Sequence, residues 1–131
     1  MAIQYAPRSG TILLCDFTGI EPEMVKRRPV VLLSSVSQGL CLVVPLSTTP
    51  PQKIMPWHYL LRLQEPLPGN FTVMECWAKC DMLAAVSFSR LNLLFKGKDK
   101  NGKRIYHVTT ITEADLEAIK IGIWSAVSAG S

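Results

Sequence analysis

Apolar residues fall in short runs through the first hundred positions and change to a helical period only at the end. Thr11 to Phe17 is an apolar-rich run opened by Gly10, short enough to predict a strand. Pro29 to Ser34 and Leu40 to Pro45 are rich in β-branched residues and leucine, with Ser35 to Gly39 between them, and predict a hairpin. Pro45 is expected to end its strand or sit on an edge, because it has no N–H for a ladder. After the loop Ser47-Thr48-Thr49-Pro50-Pro51, Tyr59 to Leu63 resumes as a strand, and Leu67-Pro68-Gly69-Asn70 reads as a turn. Glu75 to Met82 interleaves polar and apolar residues around Trp77 and predicts a strand that projects Lys79 and Asp81 to one side. Ser87 to Leu91 fits one helical turn, and Asn101-Gly102 predicts a tight turn leading into a strand over Ile105 to Val108. Finally Thr112 is placed to cap a helix with Glu113 and Asp115 in its first turn and Leu116, Ile119, Ile123 and Val127 along one face. Gly122 lowers that helix's intrinsic stability by about 1 kcal/mol, so packing on the strands must hold it. Many short strands and one closing helix point to a mainly β (α+β) fold, a small barrel or curled sheet.

Composition narrows the class. With 131 residues, 48% of them apolar and 18% charged, the chain is sized for one domain (1–131) with a real core. Arg27, Arg28 and Pro45 bracket the most apolar stretch, too short to span a bilayer, and the first ten residues lack the pattern of a secretory signal. The expectation is a cytoplasmic protein without a membrane partner. The formal net charge of +4 is compatible with a polyanionic partner without requiring one. Cys15, Cys41, Cys76 and Cys80 are scattered and read as buried free thiols. The Cys76–Cys80 spacing lacks the further ligands that zinc demands, since His58 and His107 form no matching pair, so no metal or other cofactor is expected.

Several segments carry candidate chemistry. Glu21-Pro22-Glu23-Met24-Val25-Lys26-Arg27-Arg28 crowds carboxylates and cations into what reads as a loop ahead of a core strand, where a guanidinium can grip phosphate oxygens in bidentate fashion. Ser47 and Thr48 offer hydroxyls after the next strand, although turns use such residues too. Lys79-Cys80-Asp81 supplies a cation and a carboxylate, equally compatible with a surface ion pair. Brought into one cleft, these parts suit phosphodiester transfer. Trp57 and His58 are candidates for stacking unpaired bases, Trp57 being equally suited to the core. The cluster Lys96, Lys98, Lys100, Lys103 and Arg104 reads as a solvated loop.

The run Gly10-Thr11-Ile12-Leu13-Leu14-Cys15-Asp16-Phe17, then Glu23 five residues before Arg28-Pro29-Val30-Val31, then Val43-Val44-Pro45-Leu46-Ser47-Thr48, resembles the MazF/PemK toxins of type II toxin–antitoxin systems. Lys79-Cys80-Asp81 resembles the Arg-Cys-Asp stretch of PemK-type members, so the resemblance covers residues 10–127. It implies an SH3-like barrel with a C-terminal helix, a homodimer, and a cognate antitoxin. It also implies ribosome-independent endoribonuclease activity on single-stranded mRNA, leaving a 2′,3′-cyclic phosphate and a 5′-hydroxyl. By position, Arg28 matches the family's catalytic arginine, Ser47 or the adjacent Thr48 its catalytic threonine, and Asp81 the PemK-type carboxylate. Two departures stand out. Glu21-Pro22-Glu23-Met24 replaces the G-[SH]-E-Q stretch, removing a histidine while keeping Glu23, and Lys79 replaces an arginine. Chemistry assigns Arg28 to phosphate clamping, Asp81 or Glu23 to the general base, Ser47 and Thr48 to orienting phosphate oxygens, and Lys26, Arg27, Lys79, Trp57 and His58 to RNA binding. The alternatives are a non-catalytic nucleic-acid or partner-binding homologue and a gyrase poison of the related CcdB branch.

Overall fold

Side-chain alternation, carried across paired strands, gives this sheet two buried faces. The computed structural model describes residues 2–69 and 74–129, so the Asn70 end of the expected turn lies outside it. β1 (Ile12–Thr18) and β2 (Val25–Ser37) are antiparallel, with Ile12 opposite Val31 and Cys15 opposite Arg28. β3 (Leu40–Ser47) pairs with the other side of β2, Val30 facing Pro45. β4 (His58–Arg62) and β5 (Glu75–Lys79) extend the sheet beyond β3, and β7 (Leu91–Asn92) pairs with β1. β6 (Ala84–Ser87) also pairs with β3. A separate two-stranded hairpin joins β8 (Leu94–Lys98) to β9 (Arg104–His107), and the helix α1 (Glu113–Ser128) follows. Val31, Val44, Leu46, Leu61, Ala78 and Ile119 are buried in one apolar cluster. Leu13, Cys15, Val30, Leu32, Cys41 and Val43 belong to the cluster on the opposite face.

The expected mainly β architecture with a closing helix is what the chain adopts. The sheet is open, however, with β4 and β7 at its ends, so it is a curled sheet rather than a closed barrel. β2 also starts earlier than its apolar run indicates. Pairing of Asp16 with Arg27 and of Phe17 with Lys26 draws the basic segment into the strand, so Arg28 stands on β2 and not in a loop. Pro45 does not end β3. It lies instead where the partner on the far side of β3 is interrupted, β6 pairing as far as Val43 and β5 from Leu46. Its missing N–H therefore costs no ladder bond on that side.

The interruption is a single 3₁₀ turn, Cys80–Met82, between two strand segments running in the same direction along β3. Three extra residues are accommodated there, as in an enlarged bulge. The strand expected through Met82 consequently stops at Lys79, and Asp81 leaves the alternation that would have put it beside Lys79.

Thr112 caps α1 as expected, its Oγ1 accepting from the Asp115 N–H at 3.1 Å. Tyr59 Oη on β4 donates to the Asp115 carboxylate, fixing the helix start against the sheet and raising the Tyr59 pKa. Ile119 and Gly122 are buried and Leu116 and Ile123 half-buried, whereas Val127 is exposed, contrary to its place in the expected apolar face. The helix approaches the 3₁₀ turn closely at Gly122: a Cβ there would meet Cys80 Sγ at 2.8 Å. Complete burial of Ile119 contributes about 1.5–3 kcal/mol, outweighing the roughly 1 kcal/mol that Gly122 costs in helix propensity. Among the described residues no helix is long and apolar enough to cross a membrane.

Candidate functional site

Register and alternation decide which polar groups share a face. The β2–β3 register, continued two residues past Val30–Pro45, sets Arg28 level with Ser47, while Ser47 pairs with Trp77 on β5. Arg28 has the parity of Val30 and Leu32, so it belongs to the face that carries the Leu13–Val43 cluster. Ser47 and Lys79 have the same placement, and Lys79 is paired with His58 on β4. Arg28, Ser47, Lys79 and His58 are thus presented on one side of the sheet. Arg27, one residue out of phase, goes to the other side. Lys26 is exposed, with its backbone in the left-handed region at φ +69°, a conformation that costs a non-glycine residue about 1 kcal/mol or more.

Arg28 is half-exposed and uses only Nε internally, donating to the Val25 carbonyl at 3.2 Å. Its terminal nitrogens have no hydrogen-bonding or ionic partner among the described residues, so the planar fork is available to an anion. Ser47 is committed differently. Its buried hydroxyl donates to the Thr49 carbonyl and accepts from the Thr49 N–H, both at 3.2 Å, closing the turn after β3. Thr48 is exposed, with its hydroxyl unpartnered among the described residues.

Asp81, from the 3₁₀ turn, opens into a cleft of about 650 Å³ between the β1–β2 loop and β6. Phe17, Met24, Met82 and Val86 give this cleft apolar walls, and Glu23, Asp81 and Arg90 supply its charges. Phe17 and Val86 belong to the same cluster as Val30, so the cleft is on Arg28's side of the sheet. Glu23 is partly occupied: Oε1 accepts from the Ile20 N–H at 2.8 Å and ties the loop together. Gly19 permits that closure, since a Cβ there would lie 2.6 Å from the Met24 carbonyl oxygen. Arg90 is a cleft residue that sequence reasoning missed. Its Nη1 donates to Thr18 Oγ1 at 2.6 Å and to the Asp16 carbonyl at 3.3 Å, linking the end of β1 to the 3₁₀ turn Phe88–Arg90. Only its place at the end of the helical turn read from Ser87 to Leu91 hinted at this.

Cys80, between Lys79 and Asp81, faces inward. Burial, with the Asp81 charge adding, pushes its thiol up to about 12, so it stays protonated and is no nucleophile. Cys15 and Cys76 are pushed up to about 11 by burial, and all four thiols are buried and free. Among the described residues no group of three His, Cys, Asp or Glu side chains is arranged to hold a metal.

His58 is half-exposed, and its Nδ1 accepts from the Met55 N–H at 3.0 Å. That bond assigns the proton of the neutral ring to Nε2, which is left as a donor. Trp57 meets His58 edge-on at 6.1 Å between centroids, and it also packs against the core beneath α1. The core role expected as the alternative for Trp57 is therefore the one that its surroundings support.

A family model described as "PemK-like, MazF-like toxin of type II toxin-antitoxin system" matches residues 8–125. The chain belongs to this family. The Escherichia coli (strain K12) protein YifN, a relative of this PemK/MazF-type chain, is 33% identical over 113 residues, covering 70% of this chain and 76% of YifN. The fold is similar to that of MazF (Form-I) from Deinococcus radiodurans, with a TM-score of 0.63, 19% identity and coverage of 95% of this chain and 98% of that one. It is also similar to a mycobacterial endoribonuclease solved in complex with its cognate antitoxin. There the TM-score is 0.59 and the identity 17%, over 93% of this chain and 95% of the other.

Proposed function

We propose that this PemK/MazF-type chain is the toxin of a type II toxin–antitoxin pair and a ribosome-independent endoribonuclease that cuts single-stranded mRNA. The observation that carries this reading is the unpartnered guanidinium fork of Arg28 on the side of the sheet where Asp81 enters an open cleft. Arg28 does not itself line the cleft, so in this reading it holds the phosphate at the cleft's side of the sheet and the ribose extends toward Asp81. Asp81 is the base: it takes the 2′-OH proton as that oxygen attacks phosphorus, and Arg28 stabilises the charge that builds on the phosphoryl oxygens. The 2′-oxygen–phosphorus bond forms as the P–O5′ bond breaks, and the leaving 5′-oxygen takes its proton from solvent water, yielding a 5′-hydroxyl and a 2′,3′-cyclic phosphate. None of these roles calls for a metal.

Hydrogen bonding divides the remaining candidates. Thr48 is the hydroxyl free to orient a phosphate oxygen, while Ser47 shapes the turn that presents it. Glu23 holds the loop and is the weaker choice for the base. Lys79 and Lys26 contribute positive potential, and His58 Nε2 a donor, to the flanking nucleotides, whereas Arg27, on the other side of the sheet, is the weaker candidate. A homodimer, a cytoplasmic location and an antitoxin laid across the cleft complete the proposal. The antitoxin is supported by the mycobacterial relative's structure with its own.

Incubating 5′-labelled single-stranded RNA with purified protein in EDTA tests the assignment. Discrete fragments ending in cyclic phosphate are expected, and they should vanish with Arg28→Ala. Intact RNA would favour the gyrase-poison or non-catalytic readings instead.

A further inference from the structure

The β8–β9 hairpin concentrates charge that the cleft does not use. Lys96, Lys98, Lys100, Lys103 and Arg104 lie within nine residues, all exposed, and none is in an ion pair among the described residues. Asp99, the one carboxylate in their midst, is occupied with the turn. Its Oδ1 accepts from the N–H groups of Asn101 and Lys103, at 2.8 and 2.9 Å, while its backbone bonds Lys103 and Gly102. The tip is therefore a turn whose backbone is braced and whose one carboxylate is engaged by backbone N–H groups rather than by the lysines.

The body of the hairpin is aromatic. Phe95 is paired with Tyr106 across the strands, ring edge to ring face at 6.4 Å, and the Arg104 guanidinium covers Phe95 at 5.3 Å from its centroid. Alternation puts Arg104 and Tyr106 on one face of β9, with Lys98 opposite Arg104. Phe95 and Tyr106 remain 45% and 38% exposed. Beside them Tyr106 and Val108 help line a largely apolar hollow of about 240 Å³, completed by Ile3 and the exposed Tyr5. Flat π-surfaces interleaved with unpaired cations match single-stranded nucleic acid, which offers bases to stack and phosphates to neutralise. An acidic peptide would match the lysines but would leave the aromatic faces unused.

We propose that this hairpin is a second RNA-binding surface, a track that holds the single strand away from the scissile linkage. It would stack bases on Tyr106 and the Arg104–Phe95 pair and hold phosphates with Lys96, Lys98 and Lys103. The proposal rests on the ribonuclease reading. It predicts that affinity and cleavage rise with RNA length beyond what the cleft alone accommodates.

The experiment uses the full chain and fully 2′-O-methylated, dye-labelled RNAs of about 5 and about 20 nucleotides, spanning the range of known single-strand site sizes. The triple variant Lys96→Ser/Lys98→Ser/Lys103→Ser should bind the long RNA more weakly, with the slope of log Kd against log salt reduced by about 2, at roughly 0.7 per lost phosphate contact. Tyr106→Leu, which keeps the apolar body, should weaken the long RNA about 5- to 150-fold, the range of one lost stacking contact. Neither variant should alter binding of the short RNA. An unchanged salt slope, or equal losses for both lengths, overturns the proposal. So does a changed oligomeric mass of the triple variant, or poly-glutamate bound at the hairpin in place of RNA. If the unsubstituted protein cleaves an unmodified short RNA but shows no length dependence, the track alone fails. If it neither binds nor cleaves any RNA, the ribonuclease reading falls with it.

Discussion

Replacing Gly122 by alanine tests whether the closing helix positions the Cys80–Met82 turn that carries Asp81. In an exposed helix this change stabilises by about 1 kcal/mol, because glycine loses more backbone freedom on folding. Here the new methyl would lie 2.8 Å from Cys80 Sγ and 3.2 Å from Cys80 Cβ. The buried sulfur has to be displaced furthest, and the Cβ moves only with its backbone, whose N–H is bonded to the Trp57 carbonyl at 3.1 Å. Overpacking of this kind costs about 1–3 kcal/mol, so Gly122→Ala should be neutral to destabilising by about 2 kcal/mol. Cys80→Ala removes the 2.8 Å sulfur contact but keeps the Cβ at 3.2 Å, so in that background Gly122→Ala should recover part of its helix-propensity gain of about 1 kcal/mol. The double-mutant cycle should therefore show a coupling of about 1–2 kcal/mol, measured as urea midpoints at constant m-value. Because Asp81 follows Cys80 directly, Gly122→Ala should also slow RNA cleavage more than its stability loss explains. Equal effects of Gly122→Ala in the two backgrounds would refute the close approach, and with it the idea that α1 sets the position of Asp81.

Other expectations follow from the same geometry. Arg28→Lys keeps the charge but loses the fork, and should lower the cleavage rate about 10²- to 10³-fold with little change in urea midpoint, read in single-turnover assays. Thr48→Val should slow cleavage without destabilising the fold, whereas Ser47→Ala should cost about 1 kcal/mol of stability by freeing the Thr49 backbone groups; equal and purely catalytic losses would reverse these roles. The buried thiols make folding sensitive to alkali. Their folded pKa values, about 11 for Cys15 and Cys76 and about 12 for Cys80, are raised above the ordinary 9.0, so the unfolded chain ionises first. That contribution to stability is complete below pH 9 and is lost as pH rises through 11 to 12. A loss of about 4 kcal/mol between pH 8 and pH 10 is expected, less about a third in Cys80→Ala, and a flat urea midpoint across that range would contradict it.

The sequence exposed the elements more readily than their ends. Apolar runs and turn residues located the strands, and the Thr112 cap located α1, because local chemistry decides where segments begin to alternate. How far β2 reaches is decided instead by its partner. Lys26, Arg27 and Arg28 carry no apolar signal, and only pairing with Phe17, Asp16 and Cys15 makes them strand. The proposed site draws on residues that motif order singles out, Arg28, Ser47, Thr48 and Asp81. It was not legible as a division of labour, since Ser47 and Thr48 differ only in which hydroxyl the turn consumes. Arg90 was hidden because its partners, Thr18 and Asp16, are more than 70 residues away in the chain. Val127 misled because helical period reports a face, not how far the sheet extends beneath it.

One proline links these observations. A strand running unbroken along β3 from Glu75 to Ser87 would need ladder bonds at every second position, and Pro45 cannot supply a donor. The chain answers by lifting Cys80–Met82 out as a turn just there, with β5 and β6 resuming the ladder on either side. Had the strand continued, Asp81 would have shared the parity of Lys79 and been spent on a flat sheet face. Lifted out, it stands over the cleft that begins at Phe17 and Glu23. The buried Cys80 beside it anchors the turn to α1 at Gly122, the one helical position without a side chain to obstruct it. The residue that weakens the helix and the residue that interrupts the sheet thus act on the same three-residue turn, which carries the carboxylate proposed as the base.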